Sequence, residues 1–215
     1  MPTIVTGNVS NPGTEPQIAL CYQCHGCHLF KASNQPKPSG ALPSGLKKAL
    51  YTFFVGAAAK VIGRPTENFA FLCHVSMGTK DHEYTRQLLD DFKGDAISAF
   101  KNKSSGKYAA MEKGLREAYD DLSKTDQSLP PFADISAKIE RYIPGSNIKL
   151  INAISNDEIK LDSVFNIFVG GNKLGRGVTI KNLLVSYYGR NPKLHELTRC
   201  FSTLECTAIA TRIWA

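Results

Sequence analysis

From residue 41 onward the apolar positions fall into two patterns that alternate along the chain. In "LPSGLKKALYTFFVGAAAKVIGRP", Leu46, Leu50, Phe53, Phe54, Ala57 and Val61 recur at three- and four-residue steps. That spacing predicts a helix with one apolar face, capped at Ser44 and stopped by Gly63 and Pro65. "NFAFLCHVSMG" follows, a short continuous apolar run that ends in polar residues and glycine. It reads as a buried strand opening into a loop at its C-terminal end. "TKDHEYTRQLLDDFKGDAISAF" returns to helical spacing at Tyr84, Leu88, Leu89 and Phe92. The stretch from Lys101 to Tyr142 is polar, helix-like and broken at Leu129-Pro130-Pro131. "NIKLINAIS", "VFNIFVGG" and "NLLVSYY" then predict three further strands.

Strands that are nearly all apolar, separated by crossover segments, predict an α/β fold with a parallel sheet covered on both faces. The expected organisation is an irregular or disordered segment over residues 1–40, where Pro, Ser, Asn and Gln concentrate without apolar period. One α/β domain covers 41–193, with a helical insertion at about 101–143. Ligands of such sheets bind beyond the C-terminal strand ends. Three loops lie at such ends: Cys73 to Gly78, Ser155 to Asp157, and Gly170 to Gly177.

Composition narrows the setting. The 215 residues suffice for one well-buried domain. No apolar run reaches the ~18 residues of a membrane span, and the N-terminus lacks the basic start and apolar core of an export signal. A cytoplasmic location with reduced thiols is the expectation. The net charge of +7 fits either a phosphate-bearing partner or an ordinary basic surface. Asp90-Asp91 and Asp120-Asp121 lie on polar helical stretches that face solvent, so acidic spacing gives no support to a metallo-nuclease.

The richest local chemistry is "NIFVGGNKLGRGVTIKNLLVSYYGR", Asn166 to Arg190. Gly170, Gly171, Gly175 and Gly177 permit tight turning and close approach to a ligand. Arg176 between them is placed either for a two-pronged contact with phosphate or to cap a helix or pair with a carboxylate. The phosphate-loop pattern G-x-x-x-x-G-K-[ST] occurs nowhere in the chain.

Residues Gly170 to Leu174, Arg176-Gly177 and the following Leu-Val-Ser-Tyr resemble the signature of the Z-one (Z1) domain family. These are bacterial proteins tied to a superfamily-two helicase-like ATPase and to endonuclease activity. The resemblance covers about residues 40 to 193 and includes "LPSGLKKALYTFFVGAA", "FLCHVS" and "IKLINAIS". It implies a RecA-like fold of the P-loop NTPase class, specifically a helicase second lobe. "NKLGRGVTI" then resembles helicase motif V, a turn that touches the nucleic-acid backbone. The resemblance carries over Gly171, Asn172, Gly175, Arg176, Gly177 and Thr179, although Thr179 stands where many helicases have Asp. His74 and Ser76 fall at the nucleic-acid-facing end of the lobe's first strand. The intact family uses ATP and magnesium, acts on DNA, and belongs with defence or restriction functions.

A two-lobed ATPase also needs a phosphate loop, a metal-holding acidic motif and arginine fingers across the cleft. This chain has no candidate for the first or the last, so it is expected to be a fragment, bound to no cofactor by itself. Its expected partners are DNA, a separate first ATPase lobe and other defence-system subunits, with no membrane. The runner-up is a non-catalytic DNA-binding or protein-interaction module that uses the helical insertion.

Residues 194–215 carry a further expectation. Read one base earlier, permitted codons turn Leu197 through Ala210, "LTRCFSTLECTAIA", into "ADTVLQHARMYGYR". That is close to what the Z-one family carries after this strand, arginines included. A frameshift near Lys193 or Leu194 would leave Cys200, Cys206, His195 and Trp214 without designed function. A genuine, divergent C-terminus is the other possibility. In the N-terminal segment "CYQCHGCH", Cys21, Cys24, Cys27 and His28 have zinc-ligand chemistry. Four ligands within eight residues make a cramped cage and no second C-x-x-C pair exists, so no metal site is expected.

Overall fold

The computed structural model describes residues 20–23, 40, 42–74, 79–151, 159–171 and 180–188. The chain is α/β. Its five strands are β1 (Leu20–Gln23), β2 (Phe69–His74), β3 (Asn147–Ile151), β4 (Phe165–Gly170) and β5 (Leu183–Tyr188). They form one sheet in the order β1-β5-β2-β4-β3, and every pairing is parallel. The four helices are α1 (Ser44–Gly63), α2 (Thr79–Lys101), α3 (Gly106–Ser123) and α4 (Phe132–Tyr142). No helix among the described residues is long and apolar enough to cross a membrane.

β2 and β4 are continuous apolar runs because both of their faces are buried. On one face Phe69, Phe71, Cys73, Phe165, Ile167, Val169 and Tyr187 join a core built with residues of all four helices. On the other face Ala70, Leu72, Ile151 and Phe168 meet Ile180, with Ile159, Leu161 and Leu183 packed beside them. No helix residue takes part in that second cluster among the described residues, so helices flank the sheet from one side there. Among the described residues, that second face is covered by connecting segments, through Ile159, Leu161 and Ile180.

α1 departs from its predicted single apolar face. All six stripe residues are buried, but so are Ala49, Tyr51, Thr52, Val55, Ala58 and Ala59 on its other sides. The helix is sandwiched between the sheet and the layer formed by α3 and α4, and a helix in that position is apolar all round. Thr52 keeps its hydroxyl satisfied by donating to the Lys48 carbonyl at 3.1 Å. The start also differs. Pro43 is the capping residue and Ser44 is already helical, so no side chain caps the helix; the Pro43 carbonyl accepts from Lys47 N–H at 2.9 Å.

α3 and α4 bury Met111, Leu115, Ala118, Leu122, Ile135 and Ile139 in the same core as α1. The closest approach is at Gly114. A Cβ built there would stand 2.2, 2.6 and 2.9 Å from three ring atoms of Tyr51. That ring is held inside the layer, where burial and then Glu117 push its hydroxyl up to about 12. Gly114→Ala is therefore expected to destabilise. Helix propensity favours alanine by about 1 kcal/mol. Overpacking a buried aromatic ring costs about 1–3 kcal/mol and outweighs it. Urea unfolding checks this, and an alanine variant at least as stable as the parent would show that the ring moves freely.

Residues 1–40, read as irregular, contribute β1 to the sheet. Leu20 to Gln23 lie opposite Val185 to Tyr188, which gives β5 a second neighbour. The remainder of that segment lies outside the described residues, as do residues 194–215.

At the sheet's amino-terminal rim three asparagines tie the strand entries together. Asn166, 1% exposed, donates to the Phe69 and Ser163 carbonyls and accepts from Ser163 N–H. Asn68 donates to the Leu161 carbonyl at 2.7 Å. Asn182 donates to the Asn68 carbonyl at 2.9 Å. The backbone hydrogen bonds Phe69 N–H to Val164 and Ala70 N–H to Asn182, both at 2.9 Å, complete the brace.

Candidate functional site

Parallel strands bring all their carboxyl ends to one rim. Here the strand register places Gln23, Tyr188, His74, Gly170 and Ile151 side by side in one row across all five strands. Of the three loops singled out from sequence, the structure describes Cys73 and His74 of the first and Gly170 and Gly171 of the third, at this rim; Ser155 to Asp157 lie outside the described residues.

Where a ligand would sit follows from the faces that the connections take. The chain leaving β2 runs into α2, whose Leu89, Ala96 and Phe100 lie in the helix-side core. The chain leaving β4 arrives at Ile180, which lies in the cluster on the opposite face. β2 and β4 are adjacent, with His74 opposite Gly170. In open α/β sheets the usual ligand position lies beyond the carboxyl ends of neighbouring strands whose continuations take opposite faces. α2 begins at Thr79, five residues past His74, so the positive end of its dipole lies toward the same rim.

His74 is the last residue of β2 and is 5% exposed. Gly171 is buried at a bend directly after β4. These two stand at the carboxyl ends of neighbouring strands. Asn172, Gly175, Arg176, Gly177, Thr179 and Ser76 lie outside the described residues. Cys21 lies in β1, opposite Ser186 at the far side of β5. Cys24, Cys27 and His28 lie outside the described residues. Among those described, no group of His, Cys, Asp or Glu is placed to hold a metal ion.

Neighbouring chemistry is structural. The Cys73 thiol is fully buried on the helix side, and burial pushes its pKa far above the usual thiol range, so it is no nucleophile. Asp90 pairs with Arg86 at 3.6 Å. Asp121 pairs with Lys124 at 2.9 Å and Lys48 at 3.6 Å, and the hydrogen bond from Lys124 holds its carboxyl below the ordinary range. Both are surface pairs.

Sequence reasoning missed several residues near the site. His82 and Thr85 are buried on α2 at 2% and 0% exposure, with Thr85 donating to the Asp81 carbonyl at 2.7 Å. Their signal was present, since positions 82, 85, 89 and 92 continue the helical period through two polar residues. Tyr188 and Gln23 share the rim row with His74, which only strand order reveals.

A family model described as Z1 domain matches residues 45–201. No curated protein and no solved structure matches the chain.

Proposed function

Because the chain belongs to the Z1 domain family, we propose that it serves as the RecA-like second lobe of an ATP-dependent DNA-acting assembly. In this reading it binds the sugar–phosphate backbone beyond the carboxyl ends of β2 and β4. The faces taken after β2 and β4 support the reading, because α2 packs on one side of the sheet and Ile180 on the other, and neighbouring strands with such continuations flank the usual ligand position of open α/β sheets.

Charge distribution supports an anionic ligand. Between Asp162 and Glu196 the sequence holds Lys173, Arg176, Lys181, Arg190 and Lys193 and no acidic residue. Four of these five follow β4 or β5 in the sequence. Backbone amides freed by the glycines, with Arg176 as a bidentate donor, match the chemistry of a phosphodiester.

ATP and magnesium do not fit the residues present. The phosphate-loop pattern is absent from the sequence and no described cluster would hold the metal. In this reading the chain contributes binding, and turnover belongs to an assembly that supplies the other lobe. The alternative, a protein-interaction module built on α3 and α4, is disfavoured by their packing. Their apolar faces are spent on the chain's own core. For residues 194–215 the frameshift remains our reading; the genomic nucleotide sequence tests it, and a shifted frame without an arginine-rich segment removes it.

Anisotropy of labelled single-stranded and duplex DNA tests the binding. Affinity is expected to fall about tenfold or more between 50 and 200 mM salt, the behaviour of a few phosphate contacts. Arg176→Ala should lower the salt slope by about one. Salt-independent binding, or an Arg176→Ala variant identical to the parent, overturns the proposal.

A further inference from the structure

We infer that Asn182 is a positioning residue for the segment joining β4 to β5, setting where that segment is returned to the sheet. The inference rests on the proposed function only for its consequence on DNA binding. After leaving the carboxyl rim at Gly171, the chain is next fixed at Ile180, 6% exposed in the cluster on the helix-free side. Lys181 is exposed, and Asn182 then adopts φ 52°, the one non-glycine residue with positive φ among those described. That left-handed conformation excludes β-branched residues and is tolerated by asparagine and glycine.

Asparagine adds what glycine lacks. Its side-chain amide donates to the Asn68 carbonyl at 2.9 Å, while its own carbonyl accepts from Ala70 N–H at 2.9 Å. Both bonds pin it to the entry of β2. Directly after it the register of β5 against β2 slips: Leu183 lies opposite Ala70 but Val185 lies opposite Phe71. Leu184 is the extra residue of this bulge. As a result Leu183 packs with the helix-free cluster, while Leu184 and Val185 both join the helix-side core. Bulges re-aim side chains in this way beside functional sites.

On either side of residues 172–179 the described chain is the bend at Gly171 and the pinned turn at Asn182. Asn68, by donating to Leu161, draws the connection between β3 and β4 into the same knot. Both connections that start at the carboxyl rim are therefore returned to one asparagine brace at the opposite rim.

The test compares Asn182→Gly and Asn182→Val in the full chain. Glycine keeps the left-handed turn; valine does not. Trypsin cleaves after Lys173 and Arg176, so initial cleavage rates there report how the segment is held. Expected is a glycine variant with a cleavage pattern close to the parent and a modestly lower thermal midpoint, from loss of the bond to Asn68 alone. The valine variant should be cut several-fold faster at those two sites, at unchanged rates within α2, α3 and α4, with low-salt DNA affinity reduced several-fold. Should valine unfold the chain, Asn182→Ala is expected to show the same selective cleavage at smaller size. Unchanged cleavage at Lys173 and Arg176, or acceleration equal at all sites in every variant that folds, overturns the inference. Selective cleavage with DNA affinity unmoved upholds the positioning role and removes the DNA reading instead.

Discussion

Replacing Asn166 by leucine should lower the free energy of unfolding by about 3 kcal/mol, although leucine fits the apolar strand around it. The residue is the one polar side chain in β4 and is 1% exposed. Its amide nitrogen serves the Phe69 carbonyl at 3.1 Å and the Ser163 carbonyl, and its oxygen takes Ser163 N–H at 3.2 Å. Removing the amide strands a donor and two acceptors where water has little access, at about 1–3 kcal/mol for each group left unsatisfied. Added apolar packing offsets part of that loss. Denaturant midpoints with an unchanged m value measure it. A leucine variant as stable as the parent would show that these backbone groups find other partners.

Phe53→Ala is expected to remove about 3–5 kcal/mol, enough to leave a marginal fold. Phe53 is fully buried where α1 crosses the sheet. Its ring centroid lies 5.5 Å from Phe54, 5.5 Å from Phe71 and 5.9 Å from Phe165. Phe165 in turn packs on Phe54 at 5.4 Å and on Tyr142 at 6.2 Å. Truncation thus opens a cavity at the junction of two strands and α1. Refilling it would need rings held from three sides to move together. Phe53→Leu should recover more than half of the loss; equal destabilisation by both substitutions would point to aromatic geometry rather than volume.

Most elements were legible because their boundaries are local. Gly63 and Pro65 end α1, and unbroken apolar runs mark β2 and β4. That the carboxyl ends of β2, β3 and β4 share a rim was also legible, since strands buried on both faces are parallel and point one way. What escaped was set by distant partners. The burial of Tyr51 and Ala58 depends on α3 and α4 closing over α1, which no window within α1 reports. Likewise the face that a connection takes is not a local property, and Ile180 reveals its own only when seen beside Phe168. Asn166 and Asn182 read as ordinary polar interruptions until the brace is assembled. β1 has four residues in a Pro- and Ser-rich region, too short a run to announce a strand.

The sandwiched position of α1 has a consequence for biosynthesis. The middle of α1, buried on every side from Ala49 to Ala59, has nothing to shelter it until the strands beneath it exist, and β5, one of them, is encoded at residues 183–188. At about 5–20 residues per second, roughly ten seconds separate the emergence of the two from the ribosome. During that interval the most apolar stretch of the nascent chain lacks its cover, and a chain truncated before β5 would leave it open to aggregation.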